Sequence, residues 1–154
     1  MPPPKSASIV LVDDHPAMLR QTQQLLEPHF EIMRTVPHGS EVESVVARLQ
    51  PDLVLLDITL PGSNGIEIAT RLACYSRAPK IVFLTVHEDG DYSRAALATG
   101  AFGYVVKSRL VSDLIPALEA ALLGKRFISP IPALAATESD PPSPSENPGG
   151  RSAR

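Results

Sequence analysis

The chain has 154 residues, 44% of them hydrophobic, with a formal net charge of −3. That length suits one domain with a proper core. The weak charge gives no electrostatic footprint for nucleic acid or an anionic membrane. No apolar run approaches a bilayer span, and the opening MPPPKSAS lacks the apolar stretch of an export signal. The single cysteine, Cys74, excludes an intramolecular disulfide. His15, His29, His38 and His87 show no metal-ligand spacing, which speaks against a zinc site. The expectation is a cytoplasmic protein without a membrane segment.

Residues 1–7 are Pro-rich and expected to be disordered. Ile9–Val12 is a short apolar run of strand type, closed by Asp13-Asp14. Pro16 suits a first helical turn, and Met18, Leu25 and Leu26 share a helical face behind it. The weaker run Phe30–Val36 ends without acid or amine, as an edge strand would. Val42, Val45, Val46 and Leu49 mark a second helix. Leu53–Leu56 is fully apolar and closes on Asp57, with a turn signal at Pro61-Gly62. Ile66, Ala69 and Ala73 continue as a helix. Ile81–Leu84 closes on Thr85. Gly100 marks a helix stop, Phe102–Val106 closes on Lys107, and Gly124 marks a second stop. Leu114, Leu118, Ala121 and Leu122 form the face of the last helix. From Pro130 the composition turns to Pro, Ser, Gly and acids. The expected organisation is a folded unit over 8–129 and a disordered tail or linker over 130–154.

Strand and helix alternate throughout, so the strands run parallel. The predicted fold is α/β: a five-stranded doubly wound sheet, flavodoxin-like order 2-1-3-4-5, with helices on both faces. Such sheets bind ligands outside the C-terminal strand ends. Four strands there deliver Asp13, Asp14, Asp57, Thr85 and Lys107 to one edge.

Each residue alone has a plain explanation. An Asp after a strand caps the next helix. A Thr closing a strand is β-branched filler, and a lone Lys is a solvated charge. Together these explanations leave three carboxylates crowded. Two unit charges ~4 Å apart repel by about 4 kcal/mol at an effective dielectric near 20. The acids therefore call for a cation, and oxygen ligands in a partly hydrated site suggest Mg2+. Lys107 and Thr85 could then contact phosphoryl oxygens, and Asp57, which alone ends the central strand, is the candidate nucleophile for an acyl phosphate.

The segments LVDDHP, LLDITLPGSNGIE, FLTVHE and GAFGYVVKS, in this order and spacing, resemble the receiver domain of bacterial two-component response regulators. The likeness covers about residues 8 to 129. DDHP and LLGKRFISP look most like the NarL/FixJ subfamily. The resemblance implies Asp57 as phosphoacceptor, with Asp14, Asp57 and the Thr59 backbone carbonyl as Mg2+ ligands and Asp13 acting through water. It implies Lys107 as the phosphoryl contact, Thr85 as the moving hydroxyl, and Tyr104 as the aromatic that swings inward after phosphorylation. Thr59 and His87 fall where the family tunes dephosphorylation. The implied donor is a phosphohistidine on a sensor histidine kinase or phosphotransfer protein. The implied response is a population shift of the surface formed by the fourth helix, fifth strand and fifth helix.

Four departures stand out. Ser108 follows Lys107 where many relatives have Pro, and Val86 is bulkier than usual after Thr85. Pro116 lies inside the fifth helical segment, so a shortened or kinked helix is expected, with Ser112 capping a later start. The polar residues after Pro130 do not supply a helix-turn-helix output domain. The expected output is therefore contact with a downstream protein or a homodimer partner, without direct DNA binding by this chain. Alternatives are a truncated NarL/FixJ transcriptional regulator and a phosphorylation-independent pseudo-receiver. An Asp-nucleophile phosphatase would want a second acid at Thr59.

Overall fold

The alternation of apolar runs with amphipathic segments is realised almost element for element. The computed structural model describes residues 7–130. The expected N-terminal segment and Pro/Ser-rich tail lie, apart from Ala7 and Pro130, outside the described residues. Strand β1 (Ser8–Val12) leads to α1 (Pro16–Leu26), β2 (Glu31–Val36), a 3-10 turn (Gly39–Glu41) and α2 (Val42–Leu49). Then come β3 (Leu53–Leu56), a small hairpin of β4 (Thr59–Leu60) and β5 (Ser63–Asn64), α3 (Gly65–Leu72) and β6 (Lys80–Thr85). The chain continues through α4 (Gly90–Ala98), β7 (Gly103–Val106), a 3-10 turn (Lys107–Arg109), α5 (Leu110–Leu122) and β8 (Phe127–Ile128).

The large sheet has the order β2-β1-β3-β6-β7-β8. Every pairing in it is parallel. Its first five members follow the expected 2-1-3-4-5 arrangement. The sixth is an addition. Phe127 and Ile128 pair with Gly103 and Tyr104, a run too short to stand out as a strand in the sequence.

Period-two alternation divides the sheet's side chains between two cores. Val10, Val12, Val54, Leu56, Phe83 and Tyr104 face one layer, with α2, α3 and α4 residues such as Val46, Ile68 and Ala96. Ile9, Leu11, Leu53, Leu55, Val82 and Val105 face the other, with Leu26 of α1 and Leu114 and Leu118 of α5. Burial of β1, β3, β6 and β7 on both faces explains why they are continuous apolar runs.

Pro16 opens α1, and Gly100 and Gly124 follow α4 and α5, as expected. The expectation of a shortened fifth helix is corrected. It is not shortened: α5 runs 13 residues, continuous across Pro116. Ser112 is not its cap, because the N-cap is Arg109 and the Ser112 hydroxyl donates to the Arg109 carbonyl at 3.3 Å. Pro116 is exposed, so its ring meets solvent rather than the sheet. Leu110, Leu114, Ala117, Leu118 and Ala121, packed on the sheet, hold the helix together through the missing hydrogen bond. Among the described residues no helix is long and apolar enough to cross a membrane.

Candidate functional site

The C-terminal ends of β1, β3, β6 and β7 bring Asp13, Asp57, Thr85 and Lys107 to one side of the sheet. The register fixes their relative height. Val12 is level with Leu56, Phe83 with Tyr104, and Thr85 with Val106. The ladder continues one step past the strands, where Asp57 N–H donates to the Val12 carbonyl at 3.1 Å. Beyond Asp57 the backbone is clamped from behind by α3. A Cβ on Gly65 would lie 2.1 Å from the Asp57 carbonyl oxygen, so only glycine permits this approach. Asn64 caps the helix by accepting from Ile66 N–H at 2.7 Å.

Asp13 and Asp57 are buried, and Lys107 lies between them. Its Nζ is 2.8 Å from Asp13 Oδ2 and 2.9 Å from Asp57 Oδ2. The lysine balances two acids that would otherwise repel in a poorly solvated place. Burial pushes the Asp57 carboxyl above its ordinary range, and Asp13 adds to this, while Lys107 and the Thr59 N–H work against it. Burial pulls the Lys107 ammonium down, but its hydrogen bonds to Asp13 and Asp57 outweigh that and hold it above its ordinary value. Lys107 is therefore charged at neutral pH.

Thr59 N–H donates to Asp57 Oδ1 at 3.3 Å. The Thr59 hydroxyl is 2.7 Å from His87 Nε2, and the His87 ring stacks on Tyr92 with centroids 4.0 Å apart. Thr85 is wholly buried, and its hydroxyl oxygen accepts from His87 N–H at 3.2 Å. Tyr104 is also wholly buried. Its hydroxyl donates to the His87 carbonyl at 2.9 Å, and desolvation holds it strongly in the protonated form. An open cleft of about 430 Å³ leads to Asp57, with Asp14, Thr59, Val86, His87 and Lys107 among its lining. Val86, bulkier than expected here, is 65% exposed at this mouth.

Asp13, Asp14, His15 and Asp57 each offer a ligand atom within 4.8 Å of the others. Asp14 Oδ1 is buried without a hydrogen bond, and His15 Nδ1 lies 3.2 Å from it. Clustered carboxylates with an oxygen short of donors fit a divalent cation. The site thus joins an acid triad, a lysine and a hydroxyl on one sheet edge. All the sequence-identified residues lie at this end of the sheet, although Thr85 and Tyr104 sit behind the cleft wall rather than in it.

Residues 9–119 match the family model described as the response regulator receiver domain. The chain belongs to the response regulator receiver family. It is 34% identical over 125 residues to the nitrate/nitrite response regulator protein NarL of Escherichia coli K12, covering 80% of this chain and 58% of NarL. It is 32% identical over 124 residues to the transcriptional regulatory protein DegU of Brevibacillus brevis, covering 79% of this chain and 52% of DegU. The chain thus spans between half and three-fifths of the length of these relatives. Among solved structures, a LuxR-family two-component response regulator from Aurantimonas sp. SI85-9A1 superposes with a TM-score of 0.80. The two are 34% identical, with 88% of this chain and 98% of the other covered. A CheY-like receiver domain protein from Methanospirillum hungatei JF-1 gives 0.70 at 26% identity, with 78% and 96% covered. The receiver fold, and its place in two-component signalling, follow.

Two features of this receiver escaped sequence reasoning. His15 has no metal-ligand spacing to another histidine, because its neighbours are the adjacent acids. Asp113, buried in the first turn of α5, had only its helical position to mark it. It accepts from Arg109 Nε at 2.7 Å, Ser112 Oγ at 2.9 Å and Ser129 Oγ at 2.7 Å.

Proposed function

We propose that this receiver accepts a phosphoryl group on Asp57 from a phosphohistidine of a sensor histidine kinase or phosphotransfer protein. The observation that carries the reading is Lys107 held between Asp57 and Asp13, with Asp14 beside them. A carboxylate oxygen of Asp57 attacks phosphorus, an O–P bond forms, and the P–N bond breaks with its electrons returning to the donor imidazole. Asp57 must be ionised to attack. Lys107 and the Thr59 N–H favour that form against the pull of burial. Mg2+, when bound, neutralises charge on the phosphoryl oxygens. Asp14, Asp57 and the Thr59 carbonyl would hold it, with Asp13 reaching it through water. Lys107 would exchange part of its hold on Asp57 for a phosphoryl oxygen.

The added charge, about −1.5 to −2, offers a strong acceptor to the hydrogen of the Thr85 hydroxyl, whose oxygen at present accepts from His87 N–H. Any Thr85 movement strains the turn through His87, whose carbonyl holds Tyr104 and whose ring holds Tyr92. The signal then reaches the α4-β7-α5 surface and a downstream protein, or a second copy of this chain.

One observation favours a second reading. Tyr104 lies wholly buried with its hydroxyl on the His87 carbonyl, the placement a phosphorylation-independent pseudo-receiver would hold constitutively. The name of the transcriptional regulatory protein DegU also favours a receiver that serves transcriptional output.

Incubation with Mg2+ and acetyl phosphate, followed by intact mass measurement, tests the main reading. A phosphoryl adduct is expected on the wild type and not on Asp57→Asn. An unmodified wild type favours the pseudo-receiver, and an adduct that survives Asp57→Asn places the acceptor elsewhere.

A further inference from the structure

His15 stands where the acids converge. Its position is set by the backbone. It is the N-cap of α1, in extended conformation at φ −99° and ψ 109°. Pro16 follows, and a residue before proline is confined to that region. The His15 N–H also donates to Asp13 Oδ1 at 2.9 Å. The ring is thereby delivered to the acids. Nδ1 lies 3.0 Å from Asp13 Oδ1 and 3.2 Å from Asp14 Oδ1.

We propose that His15 supplies a nitrogen ligand to the cation held by Asp14 and Asp57, biasing the site toward first-row divalent transition ions such as Mn2+. The inference rests on the cation reading given above. His15 is grouped with Asp13, Asp14 and Asp57, one ligand atom of each within 4.8 Å of the others, close to twice a metal–ligand bond of about 2.1 Å. Asp14 Oδ1 has no hydrogen bond to lose when a cation arrives. A cation bound at Nδ1 would take the place of its contacts with the two carboxylates, and the ring hydrogen would then sit on Nε2. The ring is well exposed, its side chain 63% accessible, so water satisfies that Nε2 hydrogen. Imidazole nitrogen adds little for Mg2+, which keeps to oxygen and water, and more for transition ions.

The competing account makes His15 only a counter-charge for the acids. The two accounts differ in sign. Removing a counter-charge tightens binding of every cation, whereas removing a ligand weakens Mn2+ selectively.

The test uses Mn2+ as probe with the full chain. Electron-spin-echo spectra of bound Mn2+ should show nitrogen modulation that changes on 15N-histidine labelling and disappears in His15→Ala. Mn2+ affinity should fall about tenfold in His15→Ala. Mg2+ affinity, read by competition, should stay within about twofold. Asp14→Asn serves as the control for the acid site. Mn2+ that binds the wild type through Asp14 without histidine modulation, or equally well in His15→Ala, overturns the His15 assignment and leaves the acid site standing. Wild type that binds no Mn2+ overturns both the assignment and the cation reading.

Discussion

Lys107 Nζ bridges Asp13 and Asp57, 2.8 Å from one carboxylate and 2.9 Å from the other, with all three side chains buried. One cation serves two anions, so the cluster carries excess negative charge in a poorly solvated place. The arrangement suits an added cation better than it suits the protein alone.

Asp57→Asn should therefore stabilise the metal-free protein. Burial raises the Asp57 carboxyl above its ordinary value, so its charged form is disfavoured by folding. Stability linked to Asp57 is highest in acid and lost as pH rises through the folded pKa. Urea unfolding at pH 7 should show Asp57→Asn more stable by about 1 kcal/mol. The difference should vanish below about pH 3.5, where the wild-type carboxyl is protonated. Saturating Mg2+ should narrow or reverse it by binding the native wild type. A variant less stable than wild type at pH 7 in a chelator would contradict the charge balance described.

Asp113 should behave in the opposite sense. Burial raises its carboxyl, but hydrogen bonds from Arg109, Ser129 and Ser112 outweigh that and hold it below the ordinary range. The stability it contributes is present above the unfolded pKa and lost as pH falls through the folded one. Asp113→Asn should cost about 2 kcal/mol at pH 7. The deficit should shrink in acid. Paired urea titrations at pH 7 and at about pH 3 measure both.

Gly65→Ala tests the clamp behind the acceptor. The new methyl would meet the Asp57 carbonyl at 2.1 Å, and backbone must move to admit it. A loss of about 3 kcal/mol is expected in thermal or urea unfolding. Acetyl phosphate labelling should fall as well, because the strain is delivered to Asp57 itself. Unchanged labelling and stability would mean that this approach is loose.

Pro116→Ala should stabilise the protein by about 2 kcal/mol. The substitution restores an α5 hydrogen bond at an exposed position, against a smaller gain in unfolded-chain freedom. The denaturation midpoint should rise without a change in its slope.

The strand ends were legible because a continuous apolar run states where burial stops, and Asp13, Asp57, Thr85 and Lys107 each follow such a run. The site inherits its placement from the sheet, so reading one largely reads the other. Pro116 misled because local helix propensity is a weak term beside the packing of Leu114, Ala117 and Leu118. His15 was hidden because its partners are set by a rotamer and an N-cap rather than by spacing. β8 was hidden because two residues carry no period. Tyr104 was placed in the correct strand, but whether its ring lies inside or outside depends on the space around Thr85 and His87, which no one-dimensional pattern records.

An open parallel sheet leaves two borders of unpaired backbone, each able to recruit another chain and seed aggregation. β2 forms one border here. The other would fall on β7, the strand bearing Tyr104, were it not for Phe127 and Ile128. Ser129 extends the cover, donating its N–H to the Tyr104 carbonyl at 2.8 Å and accepting from Val106 N–H through its hydroxyl. The chain leaving the domain thus acts as a selvedge, keeping the strand that carries the tyrosine from being zipped onto a neighbouring molecule.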